Sequence, residues 1–269
     1  MYLADYHLHS SCSPDGHLPM EEIARLAVER GMDEICFTDH LDTIYWKDFS
    51  PCSEFDWPEA LRQFQRAQER WGDRIKLKLG AEVGEVILSY ERAQIQLDNA
   101  PELDFLIGSA HTTGAKFHYI DLYYMTREQE SQYDAMLEDY LDGIRDLVLW
   151  GKFHVLGHLT LPLRILNEQL HMNMTFAPYM ERVEEIFSII IPKGIGIECN
   201  TNRGDTPLPD REILTLYRQM GGEIITLGSD AHHGRHVACA IKECQQLLKE
   251  CGLRYFTTFH KGEPEFRPL

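Results

Sequence analysis

Histidine and carboxylate residues recur in this chain at the ends of apolar runs. His7 and His9 lie in Asp5-Tyr6-His7-Leu8-His9, and Asp39 and His40 close Ile35-Cys36-Phe37-Thr38. Glu82 ends Leu77-Lys78-Leu79-Gly80-Ala81, His111 ends Phe105-Leu106-Ile107-Gly108-Ser109-Ala110, and His158 follows Val155-Leu156-Gly157. Asp230 and His232 follow Ile224-Ile225-Thr226-Leu227-Gly228-Ser229. Residues two apart in a strand point to one side, so His7 with His9, and Asp230 with His232, can each grip a single cation. A carboxylate such as Glu82 has two oxygens that can reach separate cations. A donor set of imidazole and carboxylate without thiolate suits zinc, manganese or iron better than calcium.

Each residue also has a plainer reading. Glu82 can pair with a nearby lysine, and Glu85 competes for its role. Asp39 is expected to cap its strand and support the ligands from behind. Asp15, in Ser13-Pro14-Asp15-Gly16, reads by itself as a turn residue. His154 falls at the start of its strand, the end that serves stability, and is set aside.

Polar residues recurring at one edge of successive strands converge only if the strands share one sheet. Short β-type runs alternate with helical patterns throughout, the signature of parallel βα units. Seven strands are expected at 3–9, 33–39, 76–82, 105–111, 155–158, 194–200 and 223–230. Helices are expected to begin near Pro19, Pro58, Ser89, Arg127, Thr175, Pro209 and Arg235, with Asp56, Pro58 and Glu59 as clear start signals. The fold expected is a TIM-like α/β barrel forming one domain over 1–269, whose active site is built by the loops after the strands. Loops 41–56, with Tyr45, Trp46, Phe49 and Phe55, and 112–126 are long enough to cover its mouth. The segment 255–269 reads as a closing strand with a proline-rich extension.

The chain carries a formal charge of -17, which disfavours general binding to nucleic acid or an anionic membrane. An anionic substrate then needs a local positive centre, which bound divalent cations provide. The seven cysteines are scattered without a Cys-x-x-Cys pair and read as reduced core thiols. No leader or membrane span is apparent, so a soluble cytoplasmic protein is expected.

The ordered set His7-Leu8-His9-Ser10, Ser13-Pro14-Asp15-Gly16, Phe37-Thr38-Asp39-His40, Gly80-Ala81-Glu82, Gly108-Ser109-Ala110-His111, Gly157-His158 and Gly228-Ser229-Asp230-Ala231-His232 resembles the polymerase and histidinol phosphatase (PHP) family. The resemblance implies a distorted (β/α)7 barrel holding three divalent ions (Zn, Mn or Fe). Their ligands would be His7, His9, Asp15, His40, Glu82, His111, His158, Asp230 and His232, which moves Asp15 from turn to ligand. The chain length, Gly157-His158-Leu159 and Phe256-Thr257-Thr258-Phe259-His260-Lys261-Gly262 resemble the histidine-biosynthesis branch of that family.

That branch implies hydrolysis of histidinol phosphate, a small phosphate monoester, with metal-activated hydroxide attacking phosphorus in line. Asp230 and His232 are candidates for acid–base help as well as ligation. Arg164 and Arg203, after the fifth and sixth strands, are expected on the rim as phosphate clamps, against a plain reading as solubilising surface residues. His17 and His233 are candidate rim contacts. A PHP phosphoesterase of other specificity, including a nuclease or proofreading module, and a non-catalytic metal-binding regulatory protein are the alternatives. Oligomeric state is not legible.

Overall fold

The structure, a computed structural model, describes every residue of the chain except Trp46, so the expectation for that ring lies outside the described residues. Seven parallel strands run β1 (Ala4–Leu8), β2 (Glu34–Phe37), β3 (Lys76–Gly84), β4 (Phe105–Ser109), β5 (Val155–Leu156), β6 (Gly196–Asn200) and β7 (Ile225–Gly228). Each pairs with the next in sequence order. Such an order needs a crossover after every strand. These are supplied by helices α1 (Met20–Glu29), α2 (Trp57–Trp71), α3 (Tyr90–Asp98), α4 (Tyr133–Trp150), α5 (Leu161–Leu163, continued as a π-helix over Arg164–Gln169), α6 (Met180–Ile190) and α7 (Arg211–Gln219), while α8 (Ile241–Glu250) follows β7 and leads out of the barrel. The seven-unit barrel expected from the sequence is the fold observed.

Closure between β1 and β7 is incomplete, which is the distortion of the barrel. One bridge, Leu8 with Ala231, joins them at the carboxyl end, where His9 N donates to Ala231 O at 3.1 Å. Lower down, the buried Asp5 carboxylate replaces the missing ladder. It accepts from Ser229 N (2.8 Å), Ser229 Oγ (2.5 Å) and Ala238 N (2.9 Å). Burial pushes its acid up to about 6, opposed by those hydrogen bonds. β3 is the longest barrel strand: its first half pairs with β2 and its second with β4, which carries Glu82 into the barrel mouth.

Local sequence explains the helix starts. Asp56 accepts from Glu59 N at 2.9 Å ahead of a proline in the first turn of α2. Asp210 caps α7 in the same way. Three helices begin later than the sequence suggests, because 3₁₀ turns over Arg127–Gln132, Ala177–Tyr179 and Gly234–His236 precede α4, α6 and α8. Between the strand expected at 155–158 and the helix expected near Thr175 the chain is also helical, over 161–169. Pro162 stands in the first turn of α5, where its missing N–H costs nothing.

The end of the chain also differs from expectation. It forms an antiparallel hairpin, β8 (Tyr255–His260) with β9 (Glu263–Pro268), rather than a strand added to the barrel. Lys261 and Gly262 both have positive φ, the requirement of a two-residue turn, and that turn folds the segment back on itself. The hairpin plugs the amino end of the barrel. Phe259 packs on Phe105 and His154, whose ring centroids lie 4.8 and 5.2 Å away, and its N–H donates to Tyr6 Oη at 2.9 Å. Among the described residues, no helix is long and apolar enough to cross a membrane. All seven cysteines are free.

Phe259 is 2% exposed. Phe259→Ala removes a buried apolar contact of the plug and is expected to destabilise the protein by roughly 3–5 kcal/mol in chemical denaturation. A loss below about 1 kcal/mol would show that the hairpin is not part of the core.

Candidate metal centre

Glu82, fully buried near the end of β3, is the hub of the barrel mouth. His7 Nε2, His9 Nε2 and His40 Nδ1 lie 3.3, 3.5 and 3.0 Å from its Oε2. His111 Nε2 and His158 Nε2 lie 3.4 and 2.9 Å from Oε1. Asp230 Oδ1 is 3.7 Å from His7 Nε2 and 3.5 Å from His9 Nε2. Asp15 Oδ1 reaches His40 Nε2 at 3.6 Å, and its Oδ2 reaches His232 Nε2 at 3.1 Å. All nine residues singled out from the sequence therefore fall in one cluster at the carboxyl ends of β1, β2, β3, β4, β5 and β7.

The donor atoms fit cations. His9, His40 and His232 form one compact group, His7, His9 and Asp230 a second, and His7, Glu82 and His158 a third. Among the described residues, His7 Nε2, His9 Nε2, His40 Nδ1, His158 Nδ1 and Glu82 Oε2 are buried and make no hydrogen bond. Several sit within 3.5 Å of one another but point at shared space instead of aligning as donor and acceptor. Buried polar atoms left this way are costly, and a shared cation removes the cost.

Charge dominates the cluster. Burial opposes the ionised Glu82, yet the adjacent His7, His111 and His40 hold its carboxyl well below the usual range. Asp230 behaves alike: burial works against it, while His7, His9, Arg164 and His232 depress it. Burial together with the neighbouring His232 and His40 rings keeps His9 well below an ordinary imidazole. Five imidazoles around one carboxylate cannot all carry protons.

A surrounding layer aims these side chains. Asp39, expected to cap its strand, accepts from Ser10 N (2.6 Å), Ser10 Oγ (2.8 Å) and Ser13 Oγ (2.8 Å), fixing the loop between His9 and Asp15. Glu85 is not at the hub: it accepts from His111 N at 3.0 Å and Thr112 Oγ1 at 3.0 Å. His154 lies at the opposite end beside Phe259, as expected of a strand start. His232 Nδ1 sits 3.0 Å from its acceptor Asp230 O, so that nitrogen carries the proton.

Arg164 reaches the site, but not as an exposed rim clamp. Only 2% exposed, it donates from Nη1 to Asp230 Oδ2 (2.9 Å), from Nη2 to Asn200 Oδ1 (3.1 Å) and from Nε to Asn202 Oδ1 (2.7 Å). Arg203 is exposed and does not line the cavity, because the turn inverts the two neighbours: Asn202 faces inward to Arg164 and Arg203 outward. His17 and His233 stack on each other at 4.2 Å, exposed and outside the cavity lining. Sequence reasoning missed Glu198 and Asn200 in β6 and Asn202 just after it, all buried. The available signal was a glutamate between Ile197 and Cys199, a charged residue inside an apolar strand.

The centre opens into a cavity of about 320 Å³. Loops 41–56 and 112–126 form its outer wall through Ile44, Tyr45, Lys47, Tyr123 and Tyr124, as their lengths suggested.

The PHP domain family model matches residues 5–202. The chain is 30% identical over 262 residues to a histidinol-phosphatase of Lactococcus lactis subsp. lactis (strain IL1403), covering 95% of this chain and 93% of the relative. It is 26% identical to a probable histidinol-phosphatase of Thermotoga maritima, with 94% of each covered. Its structure is similar to the crystal structure of histidinol phosphate phosphatase from Lactococcus lactis subsp. lactis complexed with zinc, L-histidinol and phosphate, with a TM-score of 0.76, 25% identity and 98% of each chain covered. A family match over most of the barrel, with all the matching motifs drawn to one centre, has a direct consequence: the chain belongs to the PHP domain family.

Proposed function

We propose that this chain is a metal-dependent phosphomonoesterase that hydrolyses histidinol phosphate to histidinol and phosphate, with 1–269 acting as one catalytic domain. The observation that carries this reading is the convergence of five imidazoles on the buried Glu82, with the facing nitrogens of His7, His9 and His40 unpaired. The close relatives named above support the substrate. Three divalent ions (zinc, manganese or iron) held by His7, His9, Asp15, His40, Glu82, His111, His158, Asp230 and His232 would neutralise phosphate oxygens and activate water.

The chain's own residues supply position and proton transfer. Arg164 brings a buried cation to the cavity wall, where it orients Asp230 and attracts the phosphoryl group. A water oxygen bonds to phosphorus, the ester P–O bond breaks, and the departing histidinol oxygen takes up a proton. Asp230 and His232, which both line the cavity, are the groups assigned to move the protons. The outer wall of Ile44, Tyr45 and Tyr124 offers apolar contact to an imidazole ring. A cavity of about 320 Å³ suits a small monoester. Arg203, His17 and His233 stand outside the lining and are assigned to the approach of the anionic substrate.

Purified protein is expected to contain more than one equivalent of zinc, manganese or iron by elemental analysis, and Glu82→Ala to lose metal and activity together. Full activity in metal-free protein would sink the mechanism. Arg164→Met is expected to lower kcat/KM by roughly 10²–10³, the range for removing one oriented charge-stabilising group; an effect under threefold would remove Arg164 from the machinery. In an assay of histidinol phosphate beside sugar phosphates and a single-stranded oligonucleotide, histidinol phosphate is expected to be preferred. Comparable rates on all the monoesters would defeat the substrate assignment and leave the chemistry standing.

A further inference from the structure

Glu198 is a fully buried carboxylate in the middle of β6, and no arginine or lysine pairs with it among its hydrogen-bond partners. Its Oε1 lies 2.6 Å from His7 Nδ1. Its Oε2 accepts from His158 N at 2.8 Å and from Asn200 Nδ2 at 3.3 Å. An ionised carboxylate only accepts, so His7 Nδ1 must carry a proton, and in the neutral ring the lone pair is on Nε2. Nε2 is the atom that faces Glu82 and Asp230.

The same contact sets a second ligand at a distance. Asn200 turns its amide nitrogen to Glu198, so its Oδ1 faces the other way and accepts from Arg164 Nη2 at 3.1 Å and Asn202 N at 2.9 Å. Arg164 Nη1 then holds Asp230 Oδ2 at 2.9 Å. One chain of hydrogen bonds therefore links His7 on β1, His158 after β5 and Asp230 after β7. There is no slack around it: a Cβ at Gly228 would overlap Glu198 Oε1 and lie 2.5 Å from His7 Cβ.

We propose that Glu198 is a positioning residue of the metal centre, fixing the His7 tautomer so that Nε2 presents its lone pair and, through Asn200 and Arg164, orienting Asp230. This rests on the metal reading of the site and is independent of the substrate assignment. A glutamine has the same shape but one amide donor. Placed toward His7, that donor faces Nδ1–H and favours the opposite tautomer, with the proton on Nε2. Placed toward His158, it faces the backbone N–H and the Asn200 amide. Either way the brace fails: the first placement takes the lone pair from His7 Nε2, and the second sets donor against donor.

The test is zinc affinity by competition with a chelating indicator, with the His7 Nδ1–H read from side-chain ¹⁵N NMR of the zinc-loaded protein. E198Q is expected to bind zinc about 10- to 100-fold more weakly at one or more sites, the usual cost of losing a partner behind a ligand, and to change the Nδ1–H signature of His7. Glu198→Asp, which keeps the charge, should recover part of the affinity. Zinc affinity within threefold of the parent chain, with His7 unchanged, would overturn the proposal. Should E198Q not fold, Asn200→Ala decides: weaker zinc binding supports the chain of bonds and parental binding overturns it. A parent protein that takes up no zinc would instead overturn the metal reading itself.

Discussion

A carboxylate buried without water must be surrounded by groups that stabilise its charge, and Glu82 meets that demand with five imidazoles drawn from four other strand ends. The arrangement is unfavourable as a protein core. Several nitrogens have no hydrogen bond, and the rings repel one another when protonated. It becomes favourable when cations share the donors, because each imidazole lone pair and each carboxylate oxygen then gains a partner. The barrel exists in this form to hold those donors close: no single helix or hairpin brings ligands so far apart in sequence to one point.

The two ends of the barrel are correspondingly different. At the amino end the hairpin of β8 and β9 closes the core with Phe259 against Phe105 and His154, giving stability without chemistry. At the carboxyl end side chains are polar and the loops open around a cavity. The seam between β1 and β7 is shared between the two tasks. Asp5 ties β1 to Ser229 below, and Ala231 bridges Leu8 above, so His7, His9, Asp230 and His232 are held in register across a gap in the sheet.

The precision of the cluster comes from carboxylates that do not belong to the hub. Asp39 fixes the turn between His9 and Asp15, Glu85 holds the backbone of His111, and Glu198 holds His7 and His158. Each is an acceptor behind a donor, and each restricts rotation of a strand end or ring whose exposed side faces the centre. Arg164 joins this layer while lining the cavity, so one side chain both braces Asp230 and faces the open space.

The sequence by itself determined the seven βα units and the polar residues at their carboxyl ends, because strand periodicity and the His-x-His and Asp-x-His spacings are local properties, and the ordered set of motifs added the resemblance to the family. His7, His9, Glu82 and the other strand-end residues were legible for that reason, and Asp15 only through the resemblance. What only the tertiary structure decided is which neighbours face inward. Arg164 and Arg203 look alike in sequence, yet helix α5 buries one against Asp230 and the left-handed turn at Asn202 and Arg203 directs the other to solvent. Glu198 was visible only as an oddity in an apolar strand, since its partners lie on β1 and after β5, 191 and 40 residues away. The final hairpin escaped for the complementary reason: a single strand and a folded-back pair share the same alternating residues until a turn with two positive φ angles separates them.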